Sequence, residues 1–153
     1  MLTKQVLTKH VLAKQDWKHL LPHRDAMCLL DSVVVWDDSG IHVRAASHRD
    51  LDNPLRSDGV LRSVHLCEYG AQAMAIHGGL LAQRDGRVAA PGLLVSLRAV
   101  KLHINRIDDL PHELDVYASK LLDSGTSWQY EFRIEHCAQL LAQGRAAVIS
   151  GAY

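Results

Sequence analysis

Two stretches in the first third of the chain carry the hydrophobic pattern of β-strands. The first contains a run of β-branched residues at positions 33–35, and the second places apolar side chains at every other position: Ile41, Val43 and Ala45. Residues 37–40, Asp-Asp-Ser-Gly, lie between them and are typical of a tight turn. We therefore predict a hairpin of two strands, followed by a polar loop over residues 49–59.

Residues 60 to about 77 have the pattern of one long helix that is apolar on most sides. Small residues give this helix a thin profile: Gly70, Ala71, Ala73 and Ala75. The pair Gly78-Gly79 predicts the C-terminal end of the helix. A helix this thin allows a sheet to pack closely around it, yet one carboxylate, Glu68, stands near its middle.

The remainder of the chain alternates as four further strands, predicted at residues 93–103, 113–122, 127–136 and 139–150. The order of two strands, one long helix and four strands predicts an α+β fold, in which a largely antiparallel sheet curls around one central helix. We assign residues 16–153 to a single domain. A five-residue repeat (LTKQV, LTKHV, LAKQD) covers residues 2–16, and we assign residues 1–15 to an N-terminal extension outside the core.

The composition excludes several classes of partner. The 153 residues include 17 Lys and Arg and 17 Asp and Glu, and this balance argues against nucleic acid. No apolar run approaches the roughly 18 residues that suggest a membrane span. The three cysteines, Cys28, Cys67 and Cys137, fit neither a disulfide framework nor a zinc spacing, which indicates a reducing, cytoplasmic location. The histidines also lack metal-ligand spacing, so we expect no metal.

Two motifs resemble a known enzyme family. The segment LLPHRDAMCLLDSVV resembles the N-terminal motif of the hotdog-fold 3-hydroxyacyl-ACP dehydratases, and EYGAQAMA resembles their helix motif of Glu, two residues and Ala-Gln. The resemblance covers about residues 16 to 150 and is closest to the ApeP-like dehydratases of aryl polyene clusters. Those relatives share a shortened loop with a His and an Asn-Pro, matched here by His48 and Asn53-Pro54, in place of the Gly-His-Phe-Pro segment of other dehydratases.

The resemblance implies both a reaction and an assembly. It implies dehydration of a 3-hydroxyacyl thioester to the trans-2-enoyl form, on substrate carried by the phosphopantetheine arm of an acyl carrier protein and without a further cofactor. It also implies a double-hotdog dimer, either a homodimer or a heterodimer with a related dehydratase. In that dimer the catalytic His and Glu come from opposite chains.

Glu68 is the predicted catalytic acid. The reaction needs a base for the C2 proton, an acid for the leaving hydroxyl and donors for the thioester oxygen. A carboxyl group in an apolar tunnel suits the acid role, because desolvation disfavours its charged form. Gln72, one helical turn further on, is predicted to orient it. We expect free N–H groups near residues 59–61, at the predicted helix start, to receive the thioester oxygen. The structural alternative for Glu68 is an ion pair with Arg62 or Arg98, or a backbone donor.

His48 is the predicted base, with Asn53 in a supporting role. A neutral imidazole is a natural proton acceptor near pH 7. Strict alternation after Ala45 places His48 on the outer face of the sheet, so a bulge or turn must redirect it. His65, three residues before Glu68, is the rival, and a chain without a working base is the third possibility.

Two other functions remain open from the sequence. A hotdog thioesterase has the same fold and helix carboxylate, and a non-catalytic subunit of a hetero-oligomeric dehydratase needs no base. Carrier proteins are acidic, so four arginines are candidates for the rim of the site, with solvated surface charge as the plainer interpretation of each: Arg24, Arg84, Arg87 and Arg98.

Overall fold

The computed structural model describes residues 11–22, 25–89 and 92–151, and within them the chain forms seven strands and two α-helices. The strands are β1 (Leu12–Ala13), β2 (Ser32–Trp36), β3 (Gly40–Ala45), β4 (Gly92–Leu102), β5 (Leu114–Asp123), β6 (Ser127–His136) and β7 (Gln139–Ser150). The α-helices are α1 (Lys14–Trp17) and α2 (Leu66–Arg84), and 3₁₀ helices cover Lys18–Leu20, Asp25–Met27, Ser47–Arg49 and Ser63–His65.

All of the strands belong to one antiparallel sheet with the order β1-β2-β3-β5-β6-β7-β4. The connection through α2 carries the chain from β3 to β4 at the far edge of the sheet, and β5 then returns to pair with β3. Helix α2 packs against β3, β5, β6 and β7. This arrangement agrees with the predicted antiparallel sheet around one central helix.

The strand predictions are confirmed to within about one residue. The turn after β2 closes as expected, because the Asp37 carboxylate accepts hydrogen bonds from the backbone N–H groups of Ser39 and Gly40, at 2.8 and 3.0 Å. The predicted break between β6 and β7 is a two-residue turn at Cys137 and Ala138. Both residues have positive φ, at 48° and 65°, as a type I′ hairpin requires.

Both predicted ends of the long helix are wrong. The helix begins at Leu66, after the 3₁₀ turn Ser63–His65, and not at residue 60. At the other end it runs through Gly78 and Gly79 to Arg84. A helical glycine costs about 1 kcal/mol relative to alanine, but packing overrides this preference here. A Cβ at Gly79 would lie 2.9 Å from the side chain of Leu20, so a larger residue would not fit.

The thin profile of α2 has the predicted consequence for packing. The ring of Phe132 on β6 lies between Gly70 of α2 and Gly144 of β7, and a Cβ on either glycine would come within 2.8 Å of that ring. Phe132 is itself 1% exposed. The absence of side chains at two positions therefore lets the sheet approach the first half of α2, the half that carries Glu68.

The last residues of the predicted N-terminal extension belong to β1 and α1. Leu12 and Ala13 pair with Val33 and Ser32 of β2, and Trp17, at the end of α1, is completely buried. Residues 1–10, which hold most of the five-residue repeat, lie outside the described residues. The division into an extension and a single domain stays a prediction.

Candidate active site

The loop after β3 turns His48 into the protein. The inward positions of β3, Ile41, Val43 and Ala45, are buried as predicted. Continued alternation would place His48 on the outer face, but the 3₁₀ helix Ser47–Arg49 interrupts the strand and leaves His48 0% exposed. The turn that the prediction required is therefore present.

The two ring nitrogens of His48 have different surroundings. Nε2 lies 3.0 Å from the backbone carbonyl oxygen of Leu110, which accepts only, so Nε2 carries the proton and donates it. Nδ1 is then the nitrogen with the lone pair, and it is buried without a hydrogen-bond partner within the described residues. Burial lowers the pKa of His48 from its ordinary value of 6.5, which keeps the ring neutral at pH 7.

Asn53 and Tyr69 attach the His48 loop to the long helix. The Asn53 side-chain N–H group donates to the Ser47 carbonyl at 2.9 Å and to the Tyr69 hydroxyl at 3.3 Å, and its Oδ1 accepts from the Leu55 backbone N–H at 2.9 Å. Tyr69 Oη also lies 2.8 Å from Ser47 Oγ. Because Tyr69 follows Glu68 directly in α2, these bonds join the loop that bears the histidine to the helix turn that bears the carboxylate.

Gln72 makes the predicted contact with Glu68. Its side-chain N–H group donates to Glu68 Oε1 at 3.2 Å and to the Met27 carbonyl at 2.7 Å, while its Oε1 accepts from the Leu29 backbone N–H at 2.9 Å. Gln72 is 1% exposed, so three bonds fix its amide in one orientation. Glu68 itself is only half-buried in the single chain, whereas the prediction placed it fully inside an apolar tunnel.

The predicted backbone donors at residues 60 and 61 are already used. The Val60 N–H donates to the Ser57 carbonyl at 3.0 Å, and the Leu61 N–H donates to Asp108 Oδ1 at 3.0 Å. These residues form a turn and a bridge before the helix, and Gly59 in that turn has a φ of 74°. The prediction that Val60 and Leu61 offer free N–H groups to a thioester oxygen is therefore wrong.

The rival base, His65, ends the 3₁₀ helix that leads into α2. It is half-buried, and its ring makes no hydrogen bond in the described part of the chain. His48 differs from it in being fully buried, with one ring nitrogen hydrogen-bonded and the other without a hydrogen-bond partner within the described residues. These features match a base aimed at one reactant better than a half-exposed ring without a fixed orientation.

Two of the four arginines predicted for the rim, Arg84 and Arg87, lie at or just beyond the C-terminal end of α2, away from Glu68. Arg84 pairs with Asp38 at 2.7 Å and with Asp85 at 3.1 Å, at the C-terminal end of α2 and about 24 Å along the helix from Glu68. Arg87 also pairs with Asp85, at 3.2 Å. Arg98 is exposed on β4, and Arg24 lies outside the described residues.

The described residues offer neither a metal-binding cluster nor a membrane-spanning helix. They contain no group of three or more His, Cys, Asp or Glu side chains placed to hold a metal ion. None of the helices in residues 11–22, 25–89 and 92–151 is long and apolar enough to cross a membrane.

Comparison with known proteins gives one family match and many similar folds. The sequence matches the ApeP-like family, described as ApeP dehydratase, over residues 15–152. No match was found among curated protein sequences. The structure is similar to the dehydratase heterocomplex ApeI:P from Xenorhabdus doucetiae, with a TM-score of 0.79 and 24% identity over 88% of this chain and 90% of that one.

Two other solved structures show how widely the fold is shared. Zebrafish thioesterase superfamily member 2 matches with a TM-score of 0.62 and 18% identity, covering 90% of this chain and 95% of that one. A hypothetical thioesterase with coenzyme A from Streptococcus pneumoniae matches with a TM-score of 0.59 and 10% identity, covering 92% and 98%. The structural similarity establishes that these proteins share the hotdog fold, and at identities this low it establishes nothing beyond the fold. It confirms the predicted fold class.

Proposed function

The chain belongs to the ApeP-like dehydratase family, and on that premise we propose that this dehydratase removes water from a 3-hydroxyacyl thioester carried on the phosphopantetheine arm of an acyl carrier protein. The family match covers residues 15–152, nearly the whole chain. The observation that carries the proposal is the state of His48, a buried neutral imidazole held at Nε2 and open at Nδ1. A ring in this state has one fixed direction in which to accept a proton.

The proposed reaction uses His48 of one subunit as base and, as acid, Glu68 or its equivalent from the facing subunit of the dimer. His48 Nδ1 takes the C2 proton of the substrate, the electron pair of that C–H bond forms the C2–C3 double bond, and the C3–O bond breaks. Glu68, protonated when substrate binds, gives its proton to the leaving hydroxyl, which departs as water. Proton transfer from the imidazolium to the carboxylate then restores both groups. Gln72 supports the step by holding Glu68 Oε1, and Asn53 supports it by fixing the loop that carries His48.

An uncovered edge of the sheet supports a second subunit. Within the described residues β4 pairs with β7 alone. Leu94, Leu97 and Leu102 are each about 40% exposed, although Leu97 and Leu102 pair with the buried Ala146 and Ala142 of β7. A long edge strand with an apolar face is a surface that proteins normally cover.

We propose that a second hotdog subunit covers β4 and brings its own Glu68 equivalent toward His48. The partner is either a second copy of this chain or a related dehydratase subunit. The similarity to one component of a dehydratase heterocomplex supports the related subunit.

The test is a direct assay of the purified protein, alone and mixed with a related dehydratase subunit from the same source. Each sample is incubated with 3-hydroxyacyl-carrier protein, and the acyl group is followed by mass spectrometry. We expect loss of water without release of the acyl chain. Release of free acid would instead identify a thioesterase.

The His48→Gln variant separates catalysis from assembly in this assay. If the mixture is active with wild type and equally active with His48→Gln, the chain acts as a non-catalytic subunit and the proposal is wrong. The Glu68→Gln variant, which retains an oxygen acceptor for Gln72, tests the acid in the same way.

A further inference from the structure

Two loops far apart in sequence meet at His48. One loop, residues 46–60, carries the ring. The other, residues 103–111, supplies the Leu110 carbonyl that holds Nε2. The orientation of the ring therefore depends on how these two loops are fixed to each other. Asp108, in the second loop, faces the first.

The Asp108 carboxylate accepts hydrogen bonds from two residues, Leu61 and Arg106, and faces a third, Arg56, at a longer ion-pair distance. Its side chain is 6% exposed, and Oδ1 accepts from the Leu61 backbone N–H at 3.0 Å and from Arg106 Nε at 3.1 Å. Oδ2 accepts from Arg106 Nη2 and lies 4.0 Å from Arg56 Nη1. The Arg106 hydrogen bond lowers the pKa of Asp108 to about 2, so the group is a carboxylate at any pH near neutrality.

Arg56 carries the connection into the His48 loop. Its side chain is 12% exposed. The guanidinium donates to three backbone carbonyls of that loop: Asp50 at 2.7 Å, Gly59 at 3.3 Å and His48 itself at 3.4 Å. One planar cation thus holds three points of residues 46–60 and faces the Asp108 carboxylate with its remaining capacity.

We propose that Asp108 is a positioning residue for His48. Its carboxylate, acting through Arg56, holds the loop that bears the ring in register with the loop that bears the Leu110 carbonyl. This keeps the proton on Nε2 and the lone pair of Nδ1 aimed at the substrate. The inference rests on the proposed function, because it is the base role of His48 that makes the orientation matter.

The backbone around Asp108 allows its charge to be tested apart from the fold. The Ile107 N–H donates to the Leu61 carbonyl at 2.9 Å, and the Leu110 N–H donates to the Ile107 carbonyl at 3.1 Å. These bonds do not involve the carboxylate. In Asp108→Asn the amide oxygen can still accept from the Leu61 N–H, while the negative charge that faces both Arg56 and Arg106 is lost. We therefore expect this variant to fold and to change the His48 loop.

Asp109→Asn is the matched control. Asp109 is the neighbouring acid, its side chain is 58% exposed, and its only ion pair within the described residues is with Arg106 at 3.8 Å. Arg56→Met removes the same connection from the other side. Arg56→Met also removes the three hydrogen bonds to carbonyls of residues 46–60. If Asp108 acts through Arg56, the double variant should therefore be no worse than Arg56→Met alone.

The experiment has two readouts, on the assembled dehydratase with carrier-protein substrate. The first is ¹⁵N NMR of labelled histidines, which reports the tautomer of His48 whether or not the enzyme turns over. The second is steady-state kinetics. We expect Asp108→Asn and Arg56→Met to lose the single Nε2–H state and to lower kcat by on the order of tenfold to 100-fold, with KM within about twofold of wild type. Asp109→Asn should match wild type in both readouts.

The outcomes distinguish this inference from the proposed function. If Asp108→Asn keeps the Nε2–H tautomer of His48 and has the same kcat as the control Asp109→Asn, Asp108 has no positioning role. If Asp108→Asn does not fold, Arg56→Met with a wild-type His48 signal and kcat refutes the inference equally. If wild type itself has no dehydratase activity, the proposed function fails, while the NMR comparison still decides whether Asp108 fixes the ring.

Discussion

Two completely buried histidines, His48 and His77, differ at a single nitrogen. Both are 0% exposed, burial lowers the pKa of both, and each places Nε2 against a backbone carbonyl, Leu110 for His48 and Asp37 for His77. In both rings Nε2 is therefore the donor and Nδ1 carries the lone pair. The Nδ1 of His77 lies 2.8 Å from the Tyr130 hydroxyl, whereas that of His48 has no partner within the described residues.

This difference suggests a criterion for a functional group: a buried polar atom that lacks a hydrogen-bond partner in a side chain that is otherwise held in place. Buried polar groups are normally satisfied, because leaving one unpaired costs about 1–3 kcal/mol. His77 follows that rule and joins α2 to β6 and to the turn after β2. His48 is an exception, because its Nδ1 has no partner within the described residues although its Nε2 is held by the Leu110 carbonyl. An unpaired acceptor held in this way is expected where a substrate supplies the missing partner.

The largest expected effect separates the two rings by activity. His48→Gln should lower turnover on the order of 100-fold to 10,000-fold, because a general base is lost. Its free energy of unfolding should change by less than about 1 kcal/mol, since the amide can still donate toward Leu110. His77→Gln should retain turnover and lose stability. Steady-state assays paired with urea denaturation give both quantities, and a turnover loss of similar size in the two variants would remove the distinction.

A medium effect tests whether His77 is held by Tyr130. Tyr130→Phe keeps the edge-on ring contact, at 5.7 Å between centroids, but deprives Nδ1 of its donor. We expect the free energy of unfolding to fall by about 1–3 kcal/mol. Tyr117→Phe is the control, because the hydroxyl of Tyr117 makes no hydrogen bond within the described residues. Equal stability losses in the two variants would show that the His77–Tyr130 bond contributes nothing particular.

The smallest expected effect is a pH dependence that the two histidines share. The folded pKa of each is below the ordinary value of 6.5, so below that value the unfolded chain binds more protons than the folded one. The free energy of unfolding should be at its full value above pH 6.5 and decrease as the pH falls below it. Titrating carboxylates act at lower pH, since their ordinary value is 3.8.

Urea denaturation over this pH range checks the shared effect. His48→Gln and His77→Gln should each reduce the slope, although only the first affects catalysis. Stability that stays constant, or rises, as the pH is lowered would contradict the burial argument for both rings.

The sequence predicted the elements better than their ends and contacts. Alternation located the strands, because each buries one face. The end of α2 was missed because Gly78-Gly79 looks like a stop until Leu20, nearly 60 residues earlier in the chain, is seen to pack on Gly79. Local propensity contains no information about such a contact.

The candidate site shows the same limit. Four site residues could be predicted because they lie in segments that resemble family motifs: Glu68, Gln72, His48 and Asn53. Asp108, Arg56 and Leu110 had no signal, since their roles depend on two loops meeting across about 60 positions of chain. His77 was set aside because it lacks metal-ligand spacing, and its bonds to Tyr130 and Asp37 are equally invisible in sequence.

Exchange of the substrate C2 proton with solvent tests the central claim most directly, because deuterium enters at C2 only when the base removes the substrate proton and returns a solvent-derived one in the reverse reaction. Each form of the dehydratase is incubated in D₂O with its acyl-carrier-protein substrate, and deuterium at C2 is measured by mass spectrometry. The open Nδ1 of His48 predicts rapid incorporation with wild type and His77→Gln, and none above background with His48→Gln. Incorporation that persists in His48→Gln would show that another group removes the proton.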